Sequence, residues 1–295
     1  MQRSVIALGF FDGVHLGHGA LLRRTAELAR QLHMTASALT LDPHPSVLLG
    51  RTPVKLLTTT DERAELMRTL YGIERLNVLP FDADTCRLPW EMFVERLLID
   101  RFHAGCLVCG QDYRFGAGGT GTPELLQRKC AERGIACECV GEVRLDGQKV
   151  SSTYIRTLIE NGEMARAVRF LGHPHLLRGE VVSGRRLGHT LGIPTANLSV
   201  PSGLLLPRFG VYAARAYFDG LERQAVVNIG CRPTVNGESV TVEPWILDYD
   251  GDLYGHTLTL ALYDFLRPEQ KFPTLAELVA AIRRDADRTR SLLAE

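Results

Sequence analysis

The rhythm of apolar positions changes near residue 172. Upstream, short apolar runs alternate with stretches of helical period. Residues 4–9 predict a buried strand, and 17–32 a helix with Leu21, Leu22, Leu28, Ala29 and Leu32 in one stripe. Residues 35–41 predict a second strand, ending in Asp42-Pro43-His44-Pro45. A helix from Thr60 to about 71, a strand over 75–79, a helix over 90–101 and an apolar strand over 105–109 follow. Thr122-Pro123-Glu124 is a helix start, a capping residue with proline at the first position, and 136–140 is a further strand. Strands alternating with helices predict a parallel α/β sheet, whose ligands sit beyond the carboxyl ends of the strands.

Residues 152–171 predict two helical pieces broken near Asn161-Gly162, and Gly172-His173-Pro174 punctuates the chain. Beyond it come short β-rich runs at 176–182, 210–218, 223–229, 239–247 and 253–262, separated by Gly, Pro, Asn and Asp. That pattern predicts an antiparallel barrel or sandwich. Residues 274–293 predict a closing amphipathic helix with Leu275, Leu278, Val279 and Ile282 on one face. The expectation is an α/β domain over 1–173 and an all-β domain with a terminal helix over 174–295.

Composition narrows the classes. A chain of 295 residues suits about two domains, and 45% hydrophobic with 23% charged residues can bury a proper core. Formal net charge is zero, so no global field favours nucleic acid or an anionic membrane, and neither partner is expected. Small anions need only local donors. The apolar start, Val5 to Phe11, stops at Asp12 without a charged lead or a small-residue cleavage site, which argues against a secretory signal. No apolar run reaches the roughly 18 residues of a membrane span. A cytoplasmic protein, monomeric or weakly self-associating, is expected. The cysteine count is odd, at seven. Cys106 and Cys109 fall on opposite faces of a strand, whereas Cys137 and Cys139 could share one. Free thiols in a reducing compartment fit better than zinc or disulfides.

Several stretches carry chemistry. Gly188-His189-Thr190-Leu191-Gly192-Ile193-Pro194-Thr195-Ala196-Asn197 leads two glycines into a hydroxyl and an amide one residue apart. If extended, Thr195 and Asn197 share a face, and such oxygen ligands suit Mg²⁺ carrying substrate phosphates. Gly13-Val14-His15-Leu16-Gly17-His18 lies at a strand-to-helix junction, where free N–H groups and the helix dipole favour phosphate. Imidazoles there can donate to oxygens as charge builds. No GxxxxGK[ST] occurs, so this is not a Walker loop. If Ser152 begins a helix, it and Arg156 lie on one face. Gly110-Gln111-Asp112-Tyr113-Arg114-Phe115-Gly116 is either a stacking platform or a buried aromatic turn. Residues 116–121 fit GxGxxG by letter, but they lie inside a long loop and not directly after a strand, so a dinucleotide fingerprint is rejected. His44, between prolines, is a pocket residue or a turn histidine. His33, His103, His173, His175, His189 and His256 have no partner in sequence.

Downstream stand Asn228-Ile229-Gly230, Arg232-Pro233-Thr234, Val242-Glu243, Asp252-Leu253-Tyr254-Gly255, Phe265-Leu266-Arg267 and Lys271-Phe272. With the Gly188–Asn197 run, this set resembles riboflavin kinase. Phe11-Asp12-Gly13-Val14-His15-Leu16-Gly17-His18 and Ser151-Ser152-Thr153-Tyr154-Ile155-Arg156 resemble the FAD synthetase module. Nearly the whole chain is similar to the bacterial bifunctional riboflavin kinase/FAD synthetase (FMN adenylyltransferase) family. The resemblance implies a Rossmann-like nucleotidyltransferase domain followed by a riboflavin kinase-like barrel. It implies phosphorylation of riboflavin by MgATP to FMN, then adenylylation of FMN to FAD with release of pyrophosphate. Glu243 would be the catalytic base, and His15 and His18 the adenylyl-transfer imidazoles. Gly13, Gly17, Ser152, Arg156, Gly184, Gly188, Gly192 and Asn228 would bind nucleotide. Asp112, Tyr113, Phe115 and Arg267 would bind flavin, and Thr195 and Asn197 would meet Mg²⁺. A carboxylate flanked by Val242, Trp245 and Ile246 could be desolvated and made more basic. Pro244 suggests an edge or bulge there. The chain departs from the pattern at Phe10, where many relatives carry Asn, and at 119–120, where many carry Arg. A flavin sensor without turnover is the rival from another class, and the presence of Thr195 and Glu243 argues against it.

Overall fold

The computed structural model describes residues 2–50, 52–182, 193–234 and 237–294, with backbone alone for 232–234 and 237–239. The chain divides into two units, Met1–Ser152 and Thr153–Glu295.

Five parallel strands build the first unit: β1 (Ser4–Leu8), β2 (Thr35–Asp42), β3 (Arg75–Pro80), β4 (Ala104–Gly110) and β5 (Ala136–Val140), in the order β3-β2-β1-β4-β5. Every residue of β1 is at most 2% exposed. This explains its unbroken apolar run, since a parallel strand is covered on both faces. Connecting helices include α1 (Leu16–Leu32), α2 (Pro45–Leu48), α3 (Thr60–Tyr71), α4 (Ala83–Arg87), α5 (Trp90–Met92) and α6 (Pro123–Glu132). Their ends are set by the expected local chemistry. Thr59 and Glu62 form a reciprocal capping box at α3, Gly72 ends that helix at φ 67°, and the Thr122 hydroxyl caps α6. The helix expected over 90–101 runs as α5 into a π-helical stretch, Phe93–Arg101, whose closing bond from Phe102 N–H reaches the Leu97 carbonyl. A small hairpin follows, β6 (Arg144–Leu145) with β7 (Gln148–Lys149).

Strand order reverses between β1 and β4, so the loops after these two strands diverge and leave a crevice at their carboxyl ends. Beneath it, Ile6, Leu8, Leu39, Leu107, Phe93, Leu98 and Leu126 form a continuous core.

Helices α7 (Ser152–Asn161) and α8 (Met164–Leu171) break at Gly162, φ 81°, as the Asn-Gly pair predicts. From α7 onward the chain packs with the second unit. That unit holds β8 (His175–Val182), β9 (Asn197–Ser199), β10 (Gly210–Phe218), β11 (Leu221–Thr234), β12 (Gly237–Ile246) and β13 (Thr257–Arg267). They pair antiparallel in the order β12-β11-β10-β13-β8-β9, and a Thr195–Trp245 bridge brings the two ends together into a nearly closed barrel. Gly179 is required where β8 meets β9, because a Cβ there would stand 1.9 Å from the Ser199 carbonyl oxygen. The strand expected over 253–262 begins later, at Thr257. Asp252 accepts the Tyr254 N–H at 3.0 Å and Gly255 takes φ 78°, which turns the chain first.

Helix α9 (Leu275–Leu292), capped by Thr274, lies on β10 and β11. There Ala286, Val211, Ala213, Val226, Leu247 and Leu266 make a second small core with Trp245 at its edge. Its buried stripe runs through Ala281, Asp285, Ala286 and Thr289, and Leu275, expected inside, is 60% exposed. Among the described residues no helix is long and apolar enough to cross a membrane.

Candidate functional site

Two separate constellations emerge, one in each unit. In the first, the loop after β1 passes through three positive φ values, Phe11 at 60°, Gly13 at 78° and Val14 at 40°. For Phe11 and Val14 this is strained backbone, which persists only where the surroundings fix it. Asp12 supplies the fixing. Its buried carboxylate accepts the Leu57 N–H at 2.9 Å and the Thr58 N–H at 3.1 Å, and Thr58 Oγ1 accepts the Gly13 N–H at 2.9 Å. Ser152 Oγ adds a bond to the Asp12 carbonyl at 3.0 Å. Asp12 is thus a structural clamp between segments 45 residues apart, a role its local sequence does not reveal.

The clamp presents His15 and His18 at the N-terminus of α1. His15 is the N-cap, and its Nδ1 accepts the His18 N–H at 3.2 Å. A neutral His15 therefore carries its proton on Nε2. The two rings stack at 3.6 Å between centroids, and Phe11 meets the His18 ring edge-on at 5.2 Å. Burial, followed by the charges of His15 and Arg63, pushes the His18 imidazole well below its ordinary value, so it is neutral at pH 7. Its Nδ1 is buried and has no hydrogen-bond partner among the described residues. Gly17 packs under the pair, where a Cβ would come within 3.1 Å of the His15 ring.

Beside this junction lies a cavity of about 670 Å³. Its walls come from Gly9 and Phe10 after β1, Leu39 and Leu41 of β2, Phe81, Phe93, and the whole loop Asp112–Gly116 after β4. Tyr113 and Phe115 stack at 5.5 Å, and Phe115, only 5% exposed, packs into the core on Phe93 at 5.4 Å, as a buried aromatic turn does. Burial raises the Tyr113 hydroxyl, which keeps it a neutral donor. Asp112 is exposed and ion-paired with Lys149. Gly116 takes φ 71°, and a Cβ there would strike the Trp90 backbone at 2.6 Å. The 116–121 run is therefore a tight loop against a helix start. His44 caps α2 through Nδ1 and packs on Phe10, ring centroids 4.5 Å apart.

In the second unit the register does the assembling. Arg267 pairs with Val211, Val211 with Asn228, and Asn228 with Glu243, one row across β13, β10, β11 and β12. Directly opposite residues of antiparallel strands point to the same face. At about 4.8 Å per strand the row spans about 14 Å. The Thr195–Trp245 bridge continues it, because its register sets Asn197 across from Glu243. Four residues picked from distant stretches, Asn197, Asn228, Glu243 and Arg267, thus share one line, with Thr195 one pleat away. Glu243 is half-buried. Pro244 sits on the terminal strand, as expected. Its carbonyl accepts the Ala196 N–H at 3.0 Å, so its missing N–H faces the seam and removes no bond of the β11–β12 ladder.

Arg267 is not a free hand. Its Nε and Nη2 grip the Asp285 carboxylate of α9 at 2.9 and 2.8 Å, and its guanidinium lies 5.5 Å over the Phe272 ring. A cavity of about 560 Å³ opens beside β12, lined by Pro194, Thr195, Ala196, Pro244, Ile246 and the turn Tyr249–Tyr254. Thr195 reaches it; Glu243, on the face opposite Pro244, does not line it. Gly184, Gly188 and Gly192, expected to hold nucleotide, lie outside the described residues, as do Arg185, Arg186 and His189. Arg156 is on α7, four residues beyond Ser152, within the second unit.

Three of the remaining described histidines have local structural contacts. His33 ends α1 at φ 53°, His256 pairs with Asp219 at 2.7 Å, and buried His175 donates from Nε2 to the Leu205 carbonyl at 3.1 Å. The cysteines are free thiols, and no group of three His, Cys, Asp or Glu among the described residues could hold a metal. Missed by the sequence reading was Arg63, fully buried behind the β1 loop.

Comparison with known proteins bears on both units. Residues 1–154 match the FAD synthetase family and 171–293 the riboflavin kinase family. The chain is 36% identical over 99% of its length to a bifunctional riboflavin kinase/FMN adenylyltransferase of Listeria monocytogenes, covering 93% of that protein. It is 35% identical to the protein of that name from Escherichia coli, over 96% of this chain and 91% of the relative. A crystal structure of a protein described as a macrolide-efflux protein from Streptococcus pneumoniae matches with a TM-score of 0.88 at 31% identity, over 98% of this chain and 94% of that one.

Proposed function

Since the chain belongs to the bifunctional riboflavin kinase/FMN adenylyltransferase family, we propose that its two units carry out those two reactions in sequence, the second unit making FMN and the first converting it to FAD. The observation that carries this reading is the presence, in one chain, of two independent phosphate-chemistry constellations. One is a pair of imidazoles at a helix N-terminus beside an aromatic-walled crevice. The other is a carboxylate set in a row of amides and a guanidinium.

For the second unit, Glu243 accepts the proton of the ribityl 5′-hydroxyl as that oxygen attacks the γ-phosphorus of ATP. The new O–P bond forms as the bond to the β-phosphate oxygen breaks, and ADP leaves. Asn228, beside Glu243, orients the carboxylate and the incoming phosphate. Thr195 and Asn197 offer a hydroxyl and an amide oxygen beside Glu243, hard donors that fit Mg²⁺ held jointly with substrate phosphates. Bound there, the ion would neutralise phosphate charge. Arg267, anchored to Asp285, fixes the end of β13 and the flavin side of the row. Gly184, Gly188 and Gly192 belong to the nucleotide loop by their place in the sequence.

For the first unit, a phosphate oxygen of FMN attacks the α-phosphorus of ATP and pyrophosphate leaves. No covalent enzyme intermediate is needed, so positioning and charge stabilisation carry the rate. The α1 N-terminus, the Nε2–H of His15 and the ring N–H of His18 are the donors, and Gly13 and Gly17 keep side chains clear of them. Tyr113 and Phe115 stack on the flavin, and Asp112 borders it. Ser152 and Arg156 act on the nucleotide. By chemistry we assign residues 1–173 to adenylylation and 174–295 to phosphorylation, although residues from Thr153 pack with the second unit. The zero net charge offers no global field to nucleic acid or an anionic membrane, and the reading is of a cytoplasmic enzyme, monomeric or weakly oligomeric, with small-molecule partners.

The test is to incubate the protein with riboflavin, ATP and Mg²⁺ and separate the flavins by chromatography. FMN appearing first and FAD second is the expected result. Bound flavin without any product would overturn the reading in favour of a sensor.

A further inference from the structure

Arg63, on α3, is 0% exposed and heads the fully buried large side chains among the described residues. Its hydrogen bonds go to neutral oxygens. Nη1 donates to the Phe10 carbonyl at 2.8 Å and to Thr40 Oγ1 at 2.7 Å, and Nη2 donates to Thr60 Oγ1 at 2.9 Å. Thr40 Oγ1 in turn donates to the same Phe10 carbonyl at 2.8 Å. Burying a guanidinium against neutral groups is costly, and arginine does not shed its proton to escape the penalty. The carboxylates of Asp12 and Asp42 act on it through space, Asp12 while accepting the Leu57 and Thr58 N–H groups. The protein therefore keeps a charge where packing alone would favour an apolar side chain.

What that charge touches is the wall of the first unit's site. The guanidinium lies 4.6 Å over the Phe10 ring, His44 meets the same ring edge-on, and Phe10 lines the 670 Å³ cavity. Phe10 also opens the strained loop that delivers His15 and His18. At this position an aromatic ring is held from behind by a cation.

We propose that Arg63 is a positioning residue for adenylyl transfer: through the carbonyl and ring of Phe10 it fixes the cavity wall and the path of the loop. This rests on the FAD-forming assignment of the first unit. The same charge helps hold His18 neutral, after burial and His15.

The experiment compares Arg63→Gln, Arg63→Lys and Phe10→Leu in the full chain. FMN adenylylation is measured as kcat and KM, and riboflavin phosphorylation and thermal melting serve as controls. Arg63→Gln removes the charge and keeps a donor; Arg63→Lys keeps charge and donor but loses the planar fork. The expected result is a kcat for FAD formation about tenfold to a hundredfold lower in Arg63→Gln, recovering to within several-fold in Arg63→Lys. Phe10→Leu should mainly raise KM, and phosphorylation should stay unchanged in all three. Adenylylation at the unsubstituted rate in Arg63→Gln would overturn the proposal. So would equal losses in Gln and Lys variants that track a lowered melting temperature, since that marks Arg63 as structural only. If the unsubstituted chain makes FMN but no FAD, the parent assignment fails first, and visibly.

Discussion

The two units solve one problem, holding phosphates still, by opposite means. The first uses loops. Its imidazoles are placed by strained backbone, and the strain is held by the loop's own Asp12, bonded to Leu57 and Thr58, and by a serine and an arginine drawn from two other segments. The second uses pleats. Asn228, Glu243 and Arg267 fall in line because antiparallel pairing leaves them no other place. A loop-built site depends on remote supports whose failure loosens it. A row-built site depends on the ladder, which the whole barrel maintains, with Arg267 of the row also tied to the last helix through Asp285.

That contrast can be broken or sharpened by experiment. The largest effect is expected from Glu243→Gln, which leaves the ladder intact and removes the base. Riboflavin phosphorylation should fall about a hundredfold to ten-thousandfold, while adenylylation of supplied FMN is unchanged in the same assay. His18→Ala should cost the adenylylation step about a hundredfold to a thousandfold and spare phosphorylation. Equal damage to both steps in either variant would mean the sites are not separate.

Next in size is a pH effect in the second unit. Burial holds the His175 imidazole down at about 4. The unfolded chain, near 6.5, binds this proton first, so stability falls as pH drops below about 6.5 and the loss is complete below about 4, amounting to about 3 kcal/mol. Denaturant midpoints measured from pH 7 to pH 4 should show that slope, and His175→Gln should flatten it. The smallest effect tests the first unit's supports. Thr59→Ala breaks the capping box at the start of α3, the helix that carries Arg63, and should lower stability by about 1 kcal/mol in a thermal melt. A drop in adenylylation greater than that in stability would show how closely the loop site leans on its scaffold.

Much of this architecture was legible in advance. Helix 60–71, the cap at Thr122, the break at Gly162 and strands 136–140 and 210–218 stand where period and turn chemistry place them. Local signals suffice when the deciding interactions are local. Strand β13 was displaced because the Asp252 and Gly255 turn outweighs the apolar letters around it. Strand β9 was missed because three residues carry no period, and Leu275 was placed inside a helix whose real seam runs through Ala281, Asp285 and Ala286. The candidate residues His15, His18 and Thr195 came from motif spacing, and Glu243 from the resemblance to riboflavin kinase. What spacing could not reveal is the supporting cast. Asp12 bonds a segment 45 residues away, Arg63 a carbonyl 53 residues away, and Arg267 an aspartate on the last helix. Such pairings exist only once the chain has folded.

The cross-strand row also carries a rule about length. Side chains alternate faces along a strand, so losing one residue within β11 or β12 would send Asn228 or Glu243 to the barrel interior and bring Val227 or Pro244 out in its place. Losing two would keep the faces and slide the partners by one pleat. Over evolutionary time this half of the chain should therefore tolerate length changes in its β11 and β12 strands only in even steps, whereas the loops that feed the first site are free of any such parity.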